Sequence, residues 1–230
     1  MMKLMKLEMA KMRLGWYVKS SIIANIFIVV FMLLICYVEK SEGRSAFVNI
    51  EEAYIILGSF VRSTFIVMAS VMISKLIIDE YKNKTISIMF MYPVNRKKIL
   101  ASKLVLITAI TFITIIISNI FTLSVFIGIN QALQVIPNDP ATFDVVPHLA
   151  RIAAFAFGAA GASLIPLYFG MRKISVPATV ISSLLIVAVT SMHNPVISLA
   201  TIIYIPLGLA VIGIVIAGWS IRGIERTDVV

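Results

Sequence analysis

The sequence predicts an all-α membrane protein: six transmembrane helices, an N-terminal amphipathic helix on the membrane surface, and a short cytoplasmic helix between the second and third spans. Three observations carry this. Of the 230 residues 60% are hydrophobic and 13% charged, where a soluble domain carries about 25% charge. Mostly apolar runs long enough for a hydrocarbon core, which takes roughly 20 helical residues, recur along the whole chain. They lack the period-two alternation of barrel strands, so each satisfies its backbone polar groups as a helix.

Residues 1–19, MMKLMKLEMAKMRLGWYVK, set Met and Leu against Lys3, Lys6, Lys11, Arg13 and Lys19 at helical spacing and end near Trp16 and Tyr17. This is the pattern of an interfacial helix. The run that follows, Ser21 to Val38, is of spanning length, so it reads as an uncleaved first span rather than a secretory signal. Further spans are expected at Ala53–Ile78, Ile99–Ile127, Ala150–Phe169, Ile174–Met192 and Leu199–Ser220. No internal repeat, Gly/Ser linker or low-complexity tract divides the chain, so residues 1–230 form a single transmembrane domain.

Six spans place both termini on one side, and the basic residues say which. Five Lys or Arg fall in the N-terminal segment, seven between Lys75 and Lys103, two at Arg172 and Lys173, and two at Arg222 and Arg226, leaving four of the twenty elsewhere. The alternate loops hold only Lys40, Arg44 and Arg151, with Arg62 inside a span. Lys and Arg concentrate on the cytoplasmic side, so a multi-pass protein with both termini cytoplasmic is expected. The same distribution explains the net charge of +9 without nucleic acid.

Several chemistries are excluded by what is missing. There is no GxxxxGK[ST] loop to cradle ATP phosphates, and no HExxH or GxSxG. Glu51 and Glu52 lack the arginine an intramembrane protease pair would need four residues on, position 56 being Ile, and the two histidines, His148 and His193, lie at loop positions near prolines. The single cysteine, Cys36, lies in an apolar run as a small buried hydrophobe and can form neither a disulfide nor a thiolate-rich metal site within one chain. No catalytic, metal or cofactor site is expected, and the chain is not read as an enzyme.

One stretch interrupts the oil: EYKNKTISIMFMYPVNRKKILASK, residues 80–103. Ile86, Met89 and Phe90 fall at i, i+3 and i+4 and give a short helix an apolar face, with Lys82, Lys84, Thr85 and Ser87 left polar. Pro93 ends that helix and Asn95 caps the next. Arg96, Lys97 and Lys98 then occupy the first turn of the third span, where the helix dipole disfavours cations by a few tenths of a kcal/mol or more each. Anionic headgroups, worth about 1 kcal/mol per basic residue, would hold them there. Docking of this rigid lever on a soluble partner would do so equally well.

Glu80, Thr85, Pro93, Val94, Arg96 and Lys103 resemble the E…GT…PVxR…K pattern of the type-2 ABC exporter permeases, with Lys84 standing where the family has glycine. The EYKNKT form is similar to that of the bacterial subgroup that exports, or confers immunity to, antimicrobial and amphipathic peptides. The resemblance covers about 24 residues directly, and the charged tail Glu225, Arg226, Thr227 and Asp228 is similar to the family's ending. It implies that residues 79–98 form a coupling helix that contacts a separate ATPase subunit through Glu80, Lys84, Thr85, Met89, Pro93 and Arg96. It further implies two ATPase copies carrying ATP and Mg, a second permease copy or paralogue, and a bacterial plasma membrane location.

Polar residues inside the spans remain. Arg62 lies about nine residues into the second span, and Ser59, Ser63, Ser70 and Ser74 are read as sharing its face. Ser175, Thr179, Ser182 and Ser183 repeat the theme in the fifth. These stripes are either helix-to-helix hydrogen bonding or the wall of a translocation pathway, with Arg62 as a gate or a contact for anionic substrate groups. Ala154, Gly158 and Ala162 form a small-residue packing ridge, and Pro166, Pro177 and Pro206 are kinks or helix starts. The functional expectation is a permease subunit of an ATP-driven exporter of a lipophilic or amphipathic peptide-like or antibiotic-like substrate. The alternative is an ion-coupled carrier or channel that needs no ATPase.

Overall fold

A computed structural model describes Met9, Phe47 and residues 14–42, 50–83, 96–133, 145–191 and 204–223. Among the described residues there is no strand. Helix α1 spans Leu14–Ser41. Helix α2, Ile50–Ile73, passes through one turn of π-helix, Ser74–Ile78, into α3, Asp79–Lys82. Then come α4 at Arg96–Leu133, α5 at Val145–Ala162, α6 at Pro166–Lys173, α7 at Val176–Thr190 and α8 at Tyr204–Gly223. Among the described residues five helical segments are long and apolar enough to cross a membrane, with α2 and α3 making one and α5 and α6 another, while α7 is a shorter apolar helix. These are the helices of a multi-pass membrane protein.

The expected spans coincide with these helices, with three differences. Residues 14–19, expected in a separate surface helix, belong to α1 without a break, because polar residues end a membrane crossing without ending a helix. Helix α4, at 38 residues, runs about 57 Å and so extends well beyond a 30 Å hydrocarbon layer. Helix α7 has only 15 residues, about 22 Å, because extended Ser175 with Pro177 sets its start and non-helical Ser191 sets its end. Of the expected coupling segment, Lys84, Thr85, Met89 and Pro93 lie outside the described residues, whereas Arg96, Lys97 and Lys98 do form the first turn of α4. Most of residues 1–13 also lie outside them.

Helix α2 is the axis of the bundle, packing against α1, α4, α5 and α7. Its buried face supplies Leu57, Val61, Phe65 and Ile66 to a core completed by Met32, Ile115, Ala159 and Ile186. Cys36 is buried in the same core as a small hydrophobe. Outward, α1 exposes Ile22, Ile23, Phe27 and Val30, and α8 exposes Val211, Ile214, Val215 and Trp219. Such continuous apolar faces suit lipid tails rather than water.

The prolines act as expected. Pro166 has no N–H to give Ala162, whose carbonyl instead takes the amide of Ile165 at 3.0 Å, and the break so made separates α5 from α6. Pro177 lies in the first turn of α7, and Pro206 is buried near the start of α8. Between α6 and α7 the turn is made by Ile174 at φ 44°, an unusual conformation for a β-branched residue.

Helices α5 and α8 approach almost to backbone contact. A Cβ on Gly161 would lie 2.5 Å from Ala210 Cβ, and one on Gly158 would lie 2.6 Å from Pro206 Cβ. Gly213 of α8 returns the contact against the Gly161 carbonyl. The packing ridge expected at Ala154, Gly158 and Ala162 is therefore centred on Gly158 and Gly161, with Ala162 turned into the core. Without a hydrophobic driving force between helices in lipid, such close packing is what holds them together. Gly161→Ala should cost about 1–3 kcal/mol by overpacking, read as a lowered thermal midpoint in detergent. Gly128→Ala, where nothing lies within 4 Å, should leave the midpoint unchanged or raise it.

Candidate functional site

Two polar assemblies stand out in the apolar bundle, one at the α3 end of α2 and one roughly midway along it. The first begins with an irregularity of the backbone. In the turn Ser74–Ile78 the amide of Asp79 bonds to the carbonyl of Ser74, five residues back, where an α-helix would use four. A π turn of this kind is frequent at functional sites. Lys103, on the second turn of α4, reaches across to it: its Nζ donates to the Leu76 carbonyl at 3.0 Å and forms an ion pair with Glu80 Oε2. Both residues are buried, with Lys103 only 2% exposed.

The first and last residues of the polar stretch that resembles a coupling loop therefore grip one another. The pair ties α3 directly to α4. Around it Ile77, Ile78, Leu100, Leu104 and Leu167 form an apolar jacket. Next to it the Lys75 ammonium sits 3.8 Å from the centre of the Trp16 ring, fastening the start of α1 to the π turn. Gly170 of α6 meets Thr179 Oγ1 and Ile78, so α6 and α7 also converge on this end of α2. Helices α1, α4 and α6 thus meet at the π turn.

The second assembly surrounds Arg62, about 18 Å along α2 from Ile50. Its guanidinium carbon lies 4.3 Å from the centre of the Phe155 ring on α5. Among the described residues no carboxylate pairs with it. A cleft opens here, lined by Tyr54, Gly58 and Arg62 of α2, Asn119 of α4, and Phe155 of α5. Gly58 makes the room, since a Cβ there would stand 3.3 Å from Asn119 Oδ1 and 3.6 Å from Arg62 Nη1. At the mouth, Arg151 Nη1 donates to Glu51 Oε1 at 3.1 Å in an exposed pair. An arginine in mid-span costs about 2.5–3.5 kcal/mol on insertion scales, and a ring contact returns about 0.5–2 kcal/mol. The ring contact thus offsets only part of that cost.

Two of the four serines expected beside Arg62 face another way. Ser70 Oγ donates to Ser183 Oγ at 3.0 Å, and Ser63 Oγ lies 2.6 Å from Ser191 Oγ, so α2 and α7 are stitched along an antiparallel seam. Ser59 contributes its carbonyl to Ser63 at 2.8 Å, Ser182 Oγ donates to the Thr179 carbonyl at 2.8 Å, and Thr179 Oγ1 donates to the Ser175 carbonyl at 3.1 Å. The expectation of a single polar face is corrected for two of the four serines: Arg62 turns to α4 and α5, whereas Ser63 and Ser70 turn to Ser191 and to α7. One residue along a helix is about 100° of rotation, enough to separate position 62 from position 63.

Sequence reading passed over the amides. Asn25 of α1 donates to Ser118 Oγ at 3.0 Å, and Asn119 Nδ2 donates to the Ile115 carbonyl at 2.8 Å, both buried. A lone Asn in an apolar run is itself a signal of an interior-facing position. Among the described residues no three His, Cys, Asp or Glu side chains gather as a metal would require.

Breaking the buried pair on one side should leave an unmatched charge, at about 3–5 kcal/mol. Lys103→Met is therefore expected to lower the unfolding midpoint sharply in detergent, and Glu80→Gln added to it should recover most of the loss. A double variant no more stable than the single would show that the two charges do not answer each other.

The chain is 45% identical over 227 residues to the uncharacterized protein YcbO of Bacillus subtilis (strain 168), covering 99% of this chain and all of that protein. It belongs to the same family as YcbO. No family model matches it, and no solved structure does.

Proposed function

We propose that this member of the YcbO family is the membrane-spanning permease subunit of an ATP-driven ABC exporter. Two copies, or this chain with a paralogue, form the pathway, and two separate ATPase subunits bind ATP with Mg and drive it. The cargo is lipophilic or amphipathic, of the peptide or antibiotic kind, and moves outward across a bacterial plasma membrane with both termini cytoplasmic.

The observation that carries this reading is the buried Glu80–Lys103 pair at a π turn. A loop that only anchors to headgroups needs no rigid attachment to the bundle. A loop that transmits a push does, and here both of its ends are tied to each other and to the backbone of the π turn at Leu76. Closure of the ATPases on ATP would press on residues 79–98, and the pair would pass that displacement to α2 and α4 together. The motif resemblance and the basic first turn of α4 support the same assignment of partner.

A second reading, an ion-coupled carrier or channel, is favoured by one feature, Arg62 in mid-span, which pairs with no carboxylate among the described residues. The two separate cleanly by experiment. The chain should co-purify with an ATPase encoded beside it and stimulate its ATP hydrolysis. Charge reversal at Arg96, and neutralisation of both Glu80 and Lys103, should abolish the stimulation while leaving a folded membrane protein. Intact assembly and stimulation in these variants would remove the coupling role, and transport by the chain alone in proteoliposomes would establish the rival.

A further inference from the structure

We propose that the cleft between α2, α4 and α5 binds the anionic head group of an amphipathic molecule, with a carboxylate or phosphate seated on Arg62 and hydrocarbon against the apolar wall.

The geometry argues for an oxyanion. The Arg62 guanidinium carbon lies 4.3 Å from the centre of the Phe155 ring. A ring contact does not use up the fork of N–H donors with which a guanidinium makes parallel hydrogen bonds to carboxylate and phosphate. The acid that lines the cleft, Glu51, is engaged by Arg151 at the mouth rather than by Arg62 within. Asn119 gives its amide N–H to the Ile115 carbonyl and so holds its side chain in place beside Gly58, where the missing Cβ keeps the approach to Arg62 open.

The walls argue for an amphiphile rather than a free ion. Ile55, Leu123 and Ile152 line the cleft with Phe155, so an anion stripped of its water gains from carrying apolar substituents. A cationic head would be repelled by Arg62, and a neutral lipid would leave the guanidinium unmatched. A membrane lipid and an exported amphiphile present the same chemistry here.

The inference deepens the export reading by naming the head-group chemistry of the cargo, and it rests on that reading only for the word cargo. Binding is measured on the purified full-length chain in a non-ionic detergent, without any ATPase, by native mass spectrometry. The probes are dodecyl phosphate, dodecanol, inorganic phosphate and phosphatidic acid. Dodecyl phosphate is expected to bind saturably, at least tenfold more tightly than dodecanol or inorganic phosphate. Arg62→Gln should lose at least tenfold. Asn119→Asp, which sets a carboxylate beside Arg62, should lose as much. Phosphatidic acid binding tighter than dodecyl phosphate identifies the source as membrane lipid, and the reverse order identifies a single-chain amphiphile. Binding to Arg62→Gln within twofold of the parent, equal binding of inorganic phosphate, or no saturable binding by the folded parent overturns the proposal. A chain that binds dodecyl phosphate through Arg62 yet stimulates no ATPase would sink the coupling reading and leave this one standing.

Discussion

An ammonium group at Lys103, buried among leucines and isoleucines, is tolerable only in company, and its company dictates much of the bundle around it. One partner is the Glu80 carboxylate on α3 and the other the Leu76 carbonyl in the π turn before it. To present the two together the backbone there takes a π turn, and the apolar side chains of α4 and α6 close over the result. Desolvating such a pair is expensive, so it adds little to stability against an apolar replacement. What it supplies is register, because α4 cannot slide or rotate against α2 without stranding a charge.

Helix α2 thus carries three separate jobs on one cylinder. Its α3 end is locked to α4, its serine edge is stitched to α7, and its middle turns Arg62 into a cleft against α5. The tight α5–α8 contact through Gly158, Gly161 and Gly213 makes that pair a rigid unit against which α2 bears. Arg62 and Glu80, about 18 residues apart, lie on one continuous run of helix, so the two polar assemblies share an element.

Much of this was legible beforehand, for reasons that can be named. The helices were, since composition and length sort apolar runs without reference to packing, and Pro166 and Pro177 mark breaks that the backbone obeys. The shortness of α7 was not, because its flanking residues are apolar enough to prolong the run although Ser175 and Ser191 leave the helix. The π turn was invisible, as SKLII contains neither glycine nor proline. The pairing of Glu80 with Lys103 joins residues on either side of a loop, which no periodicity reports. Arg62 was legible as an anomaly of charge in oil, but its neighbours were misjudged because a stripe of serines one residue away suggested a common face.

The π turn holds one consequence of a different kind. It packs one residue more into a turn than an α-helix does, so each residue beyond Ile78 stands about 100° round from where a regular helix would set it. Were the extra residue released, the direction that Glu80 now takes would pass to the position before it. That position is Asp79, a second carboxylate. Release of the π turn would thus exchange one carboxylate for another opposite Lys103, whereas any slip of α4 with the turn intact would strand the ammonium.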